Sequence, residues 1–447
     1  RFRNVTGVQT CALPIFDMKK LMLCFIALLS VTSLIKAQEG DHGIKFSGFV
    51  KNDFFYDTRQ TVNIREGHFL LYPAGRNYDE FKNDLNAKPS FNFLSIQTRL
   101  TGKVSAPDVW KAKATAVVEA DFFGNENTSF SDLNGFRLRH AYGKLAWQKN
   151  ELLFGQFWHP LFIPGCFSGV ISFNTGAPMQ PFSRNPQIRA VQKFGKFSIT
   201  EVIAAQRDFT SPGGSAALRN SAIPDMHLQF AFESINKESG TEFLAGLGGG
   251  YKFLKPLLWT EKAGKKYETN EMVPGLSATA YFKMKISKIG FKFQGIYGQN
   301  LFDQTMLGGY AISRVKDTVT NAVEYTSLNV MSYWAEFQTF GKKVQFGIWG
   351  GYSQNLGSLD TIYAYTNNVG GTLATARGND IHHVWRVSPR VVFIAGRFNF
   401  ALEAEYTNAA YAVKDDLGVL QRNHKGLITD YENLANLRAV FSVICNF

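Results

Sequence analysis

The chain has 447 residues and 50.0 kDa, with 48 Lys+Arg against 36 Asp+Glu, a formal charge of +12. Aromatic residues at 14%, led by 40 Phe, exclude intrinsic disorder, and only 19% charged residues exclude a coiled coil or helical array. A mean hydropathy of −0.13 is too polar for a bundle of membrane helices, which leaves an all-β chain or, on charge alone, a nucleic-acid binder.

The first residues are not expected to be structure. Residues 1–17 (RFRNVTGVQTCALPIFD) precede Met18, and Gly7 to Ile15 reads as a translated sequencing-adapter oligonucleotide, an artefact. From Met18, Lys19-Lys20 forms a positive region, Leu21 to Ile35 an apolar one, and Ala37-Gln38 a cleavage point. Residues 18–37 are therefore expected to be a secretory signal peptide, and 38–447 a single domain. Removing residues 1–37 takes five bases (Arg1, Arg3, Lys19, Lys20, Lys36) and one acid (Asp17). That leaves 43 bases against 35 acids, a net +8. Cys166 and Cys445 then remain, too far apart in sequence for a disulfide framework or metal motif.

From Gly43 onward the dominant period is two. In Trp110–Phe122, Ala112, Ala114, Ala116, Val118, Ala120 and Phe122 share one face, against Lys111, Lys113, Thr115, Glu119 and Asp121. Leu276–Ile286 and Arg397–Tyr406 repeat the pattern, which is that of strands with one apolar and one polar face. Strands of about 8–14 residues exceed the usual length and match a tilted crossing of a bilayer. Connections alternate between short (105–108, 149–150, 195–196, 236–240, 287–290, 340–343, 395–396) and long (58–92, 123–135, 158–186, 207–225, 254–275, 299–329, 355–383, 408–435). The expected fold is all-β: a 16-stranded antiparallel transmembrane barrel with short periplasmic turns and long outer loops. Such a sheet must close, because an open edge in lipid leaves backbone groups unpaired. In Leu437–Phe447 one face carries Leu437, Ala439, Phe441, Val443, Cys445 and the terminal Phe447. A terminal Phe on such a strand resembles the signal read by the outer-membrane barrel assembly machinery. The expected location is the outer membrane of a Gram-negative bacterium, with its lipid as a partner.

A sixteen-stranded lumen is too wide for wall side chains to fill and is expected to hold water. The third long loop, His159 to Pro186, carries Pro160, Pro164, Pro178, Pro181 and Pro186, so it is a stiff non-strand excursion expected to fold inward as a constriction. By register, Arg99, Arg137, Arg139, Arg386 and Arg390 face the lumen, joined by Lys111, Lys113, Arg189 and Lys283 and by the acids Glu119, Asp121, Glu403 and Glu405. Such a lining is expected to favour small anions over cations.

The stretches Glu119–Phe122 (EADF), Phe136–Gly143 (FRLRHAYG) and Leu152–Trp158 (LLFGQFW), with Gly48-Phe49 and Lys51-Asn52-Asp53, resemble trimeric DcaP-like outer-membrane porins. The resemblance runs over most of residues 43–447. It implies a homotrimer, the best-understood member passing negatively charged dicarboxylates through an arginine-lined constriction, with Arg137 and Arg139 in the matching strand. The family prototype carries an N-terminal coiled coil, and no heptad segment fits between Ala37 and Ile44.

An enzyme is not expected. The eight His show no ligand spacing on a helix, no Gly-x-Ser-x-Gly occurs, and no catalytic residue, metal or cofactor is assigned. Nucleic acid is not an expected partner, since no run of five bases occurs and a signal peptide leads away from it. The expected function is passive diffusion of small hydrophilic, preferably anionic solutes. The alternative is a non-transporting barrel whose long loops bind a partner or glycan.

Overall fold

The computed structural model describes residues 42–124, 135–371 and 373–447; the expected artefact at 1–17 and signal peptide at 18–37 lie outside them. The alternating segments form sixteen antiparallel wall strands. In chain order these begin with β1 (Gly43–Asp57), β2 (Ser90–Leu94 continued by Arg99–Val109), β3 (Ala112–Asp121) and β4 (Arg137–Ala146). Next come β5 (Asn150–Trp158), β6 (Arg184–Phe194), β7 (Phe197–Ala204) and β8 (Asp225–Asn236). They are followed by β9 (Thr241–Leu254), β10 (Val273–Ile286), β11 (Ile289–Gln299) and β12 (Ala322–Thr339). The set ends with β13 (Val344–Ser358), β14 (Ile381–Ala395), β15 (Phe398–Ala412) and β16 (Tyr431–Asn446). Each pairs with its chain neighbour, and β16 returns to β1, with Phe49 opposite Asn446 and Asp57 opposite Arg438. The sheet is therefore a closed barrel with no free edge.

Alternation sorts the side chains as the period requires. On β15, Phe398, Phe400, Leu402 and Tyr406 are exposed on the outer wall, while Ala401, Glu403, Glu405 and Thr407 are buried inside. On β16, Leu437 and Phe441 lie outside and Arg438, Val440 and Ser442 inside, and Phe447, just past the strand, is exposed. Backbone bonds between Gly48 and Phe447, at 3.1 and 3.2 Å, tie the terminal residue to the first strand.

Several boundaries differ from expectation. The turn placed at 105–108 is part of β2: Pro107 and Asp108 bulge between the pairs Ala106–Ala114 and Val109–Ala112. A proline's missing N–H is tolerated at such an irregularity. The chain reverses instead at Trp110 and Lys111, both at positive φ (50° and 64°), the backbone of a two-residue hairpin turn whose twist suits the strands. Several strands also run beyond the expected span; β12 has 18 residues and β16 has 16. The loop strand Gly308–Asp317 pairs on the extension of β12, so part of the expected 299–329 loop is sheet.

The interior departs from a plain water-filled lumen. Loop 1, between β1 and β2, sends in Phe69, Leu71 and Tyr72. Loop 3, between β5 and β6, adds Phe162, Phe173, Met179 and Phe182. They pack against Trp334 of β12 and Trp349 of β13 in one buried apolar cluster. A sequence pattern that marks a wall position as inward cannot reveal that a distant loop will cover it.

Strand β9 makes room for bulky neighbours. Gly246, Gly248 and Gly250 occupy inward positions, where an added Cβ would collide with Tyr281, the Gln229 side chain and the His227 ring respectively. Gly250→Ala is expected to destabilise the barrel by about 1–3 kcal/mol through overpacking, read as a lower urea midpoint of the detergent-refolded protein. An unchanged midpoint would mean that His227 moves aside freely.

Candidate functional site

The site begins on β3, where alternation turns Glu119 and Asp121 inward. Across from them β4 carries a bulge: Asp121 pairs with Arg137, Ala120 with Leu138, and Glu119 with His140, leaving Arg139 as the extra residue. A bulge puts two residues against one and re-aims side chains. Arg139 and His140, adjacent in sequence, therefore both line the interior cavity. The amide of Gln156 on β5 donates to the carbonyls of Leu138 and Arg139, at 3.1 and 2.9 Å, holding the irregular backbone.

Arg137 binds Asp121 in a fork, with Nε–Oδ1 at 2.9 Å and Nη2–Oδ2 at 2.7 Å. Arg139 bridges Glu119 at 2.8 Å and Asp121 at 2.9 Å. Arg99 of β2 lies 3.7 Å from Glu119. Arg184, at the start of β6, donates to Asp208 of the β7–β8 loop at 2.9 and 2.6 Å. Arg137 and Arg65 reach the other oxygen of Asp208, at 3.6 and 3.9 Å. Burial by itself would raise the Asp208 pKa, but Arg184, Arg137 and Arg65 outweigh it and hold the carboxyl below its usual range. Aromatic faces support the ladder: Arg99 stacks on Phe49, Arg137 on Phe123, and Arg184 on Trp158, at 5.0, 5.3 and 5.0 Å. Among the described residues, four guanidinium groups (99, 137, 139, 184) thus meet three carboxylates (119, 121, 208), a local excess of positive charge, and Arg65 also reaches Asp208.

Beside the lower rungs lies a polar cavity of about 470 Å³, bounded by Lys51, Arg99, Glu119, Arg139 and His140 on the wall and by residues 167–173 of loop 3. It reaches Phe49, Asn399 and Asn446 near the short-turn end. Loop 3 crosses to the far wall. Glu403 accepts from the N–H groups of Ile171 and Ser172 at 2.7 and 3.1 Å, and Glu405 from the Asn174 amide at 2.8 Å. Glu336 accepts from Gly169 N–H at 2.8 Å and is paired with Arg390. Arg386 donates to the Ala177 carbonyl at 3.0 Å, and Lys51 to that of Ile171 at 2.6 Å.

The residues expected to line the lumen therefore divide. Arg99, Glu119 and Arg139 border the cavity. Arg137 and Asp121 sit in the same ladder beyond it. Arg386, Arg390, Glu403 and Glu405 are turned inward but buried: Glu403 and Glu405 accept from loop 3, Arg386 donates to loops 1 and 3, and Arg390 is held by Glu336 and Gln338. Arg189 donates to Gln187 and to the Trp158 carbonyl, at 3.0 and 2.9 Å, bracing the end of β5. Lys283 pairs with Glu242 at 2.8 Å. Lys111 and Lys113 require correction. Lys111 stands in the hairpin turn and Lys113 just after it, exposed and paired with Asp108 at 3.0 Å, because the chain reverses later than expected.

Lys51, Arg65, His140, Arg184 and Asp208 were not assigned from the sequence. The alternation of β1 was a usable signal for Lys51. The bulge at Arg139 broke the register that pointed His140 outward, and Arg65 and Asp208 lie in aperiodic loops.

His159, Asp225 and His227 form the one group of metal-binding geometry among the described residues. Leu161 N–H donates to Nδ1 of His159 at 3.2 Å, so Nε2 carries the ring proton and donates to Asp225 at 3.1 Å. With both nitrogens engaged, the trio fits a hydrogen-bonded root for loop 3 and does not fit a metal ligand set.

No protein-family model and no curated protein matches the chain. Solved structures do. The outer-membrane channel DcaP of Acinetobacter baumannii is 14% identical with a TM-score of 0.60, covering 92% of this chain and 99% of that one. The anion-selective porin from Comamonas acidovorans is 11% identical with a TM-score of 0.52, covering 91% and 100%. OmpT folded in vitro, an outer-membrane protein of Vibrio cholerae, is 8% identical with a TM-score of 0.51, covering 92% and 99%. The likeness is one of fold: a sixteen-stranded antiparallel barrel, shared with these outer-membrane proteins. The closed sheet and its apolar outer wall suit a barrel that crosses a lipid bilayer.

Proposed function

We propose that the protein is a porin through which small hydrophilic solutes diffuse passively, anions such as carboxylates ahead of cations, past a constriction made by loop 3. The observation that carries this reading is the excess of guanidinium over carboxylate groups along one wall, opposite a loop held across the lumen. A fixed positive excess in a narrow aqueous path raises the local concentration of anions and repels cations. The charge that nucleic-acid binding also invoked is thereby read as a pore lining. In this proposal residues 18–37 deliver the chain to the envelope, Phe447 serves barrel assembly, and the assembled form is a homotrimer, as the resemblance implies.

Planar-bilayer recording in a potassium chloride gradient tests the reading. The wild-type protein is expected to form an open pore with a reversal potential on the anion side. Arg99→Gln is expected to reduce the chloride-over-potassium permeability ratio by roughly threefold, the effect of about one unit charge screened by water and salt. A sealed barrel or a cation-selective pore would refute the proposal.

A further inference from the structure

The arginine ladder continues past the cavity. Its lower rungs, Arg99 and Arg139, border the cavity and are balanced by Glu119 from the wall itself. Its upper rungs, Arg137 and Arg184, meet a carboxylate of another origin: Asp208 belongs to the loop after β7, beyond Ala204. Three guanidinium groups converge on it, from loop 1 (Arg65), β4 (Arg137) and β6 (Arg184). Several arginines around one carboxylate is the arrangement by which proteins hold an anionic ligand, and here the chain supplies the carboxylate.

The backbone around Asp208 is built to keep it there. Its N–H donates to the Arg184 carbonyl at 3.2 Å, and the N–H of Arg207 donates to the Asn185 side chain at 3.1 Å. The Gln206 amide closes the turn, accepting from Ser211 N–H and donating to Ser211 Oγ, each at 3.0 Å.

The geometry points to Asp208 as a specificity-determining residue: a tethered carboxylate that fills the upper anion position of the ladder and sets how strongly the lumen attracts free anions. This rests on the anion-conducting reading above. It adds that the wall's own charge is stronger than the pore's selectivity, because a loop spends part of it. A solute with one anionic group is served by Arg99 and Arg139 alone. A solute with two meets Asp208 where its second group would bind.

The test is bilayer recording of wild type, Asp208→Asn and Asp208→Glu, with succinate added as a dianionic blocker of the chloride current. Asp208→Asn is expected to raise the chloride-over-potassium ratio by roughly threefold, a single unit of charge again, and to lower the half-blocking succinate concentration by a similar factor. Asp208→Glu keeps the charge and is expected to behave as wild type. An anion-selective wild type whose ratio and succinate block are unchanged in Asp208→Asn overturns the role of Asp208 and leaves the porin reading standing. A wild type without anion preference overturns the parent reading; a shift toward anions in Asp208→Asn then still supports Asp208 as a selectivity residue. If Asp208→Asn fails to fold, Arg65→Gln takes its place. Removing a cation beside Asp208 is expected to lower the ratio, and an unchanged ratio overturns the proposal.

Discussion

Arg386→Ala is expected to lower the stability of the folded barrel by about 3–5 kcal/mol, the cost of removing one partner from a buried ionic group, and to raise unitary conductance. Arg386 is fully buried and serves three parts of the chain. It donates to Thr407 of β15 at 2.7 Å, to the Leu71 carbonyl of loop 1 at 2.8 Å, and to the Ala177 carbonyl of loop 3 at 3.0 Å. It also lies 3.7 Å from Glu405. Alanine would leave a buried carboxylate without its cation and the Leu70, Leu71 and Ala177 carbonyls without this donor, so both loops would come away from the wall. Arg386→Lys restores the charge but not a planar fork that can bond in several directions at once, so only part of the loss should return. The checks are the guanidinium-chloride midpoint of the refolded protein and its single-channel conductance. If neither moves, Arg386 is not the clamp of loops 1 and 3.

Phe173→Ala is expected to cost a similar amount, about 3–5 kcal/mol, by a different route: lost burial plus a cavity that the surroundings cannot fill. The Phe173 ring stacks on Phe123 at 4.2 Å and meets His68, Phe69 and Phe182 at 5.4, 5.6 and 5.9 Å. It thus joins loop 1, loop 3 and the start of the β3–β4 connection in one knot, and it also lines the polar cavity. Truncation should therefore widen the cavity as well as loosen the loop. Conductance is expected to rise, and Phe173→Leu to recover about half of the stability. Because the loss is apolar, it should be nearly independent of salt, unlike that of Arg386→Ala. A destabilisation that shrinks steadily with added salt would contradict the packing account.

The two substitutions mark the limit of what periodicity conveys. Arg386 was legible as an inward residue, because its neighbour Trp385 and the alternation of β14 set its face. Its task was not legible, since the groups it binds lie 209 and 315 positions away in sequence. Loop 3 was legible as stiff from its prolines. That it lies against Glu336, Glu403 and Glu405 depends on carboxylates contributed by strands more than 150 residues later. Lys111 and Lys113 were misplaced for a local reason: a two-residue turn with positive φ at Trp110 and Lys111 carries no glycine or asparagine to announce it.

The number of strands, their two faces, the alternation of short and long connections and the overall basic charge follow from neighbours along the chain, because a strand's side chains alternate whatever it packs against. The division of the inward residues into cavity lining, ladder and loop anchors follows from tertiary structure. It depends on barrel closure, on the bulge that aims Arg139 and His140 the same way, and on loop 1, loop 3 and the β7–β8 loop meeting the inner wall. Those contacts join groups far apart in the chain, and their free energy comes from burial and ion pairing that no local pattern encodes.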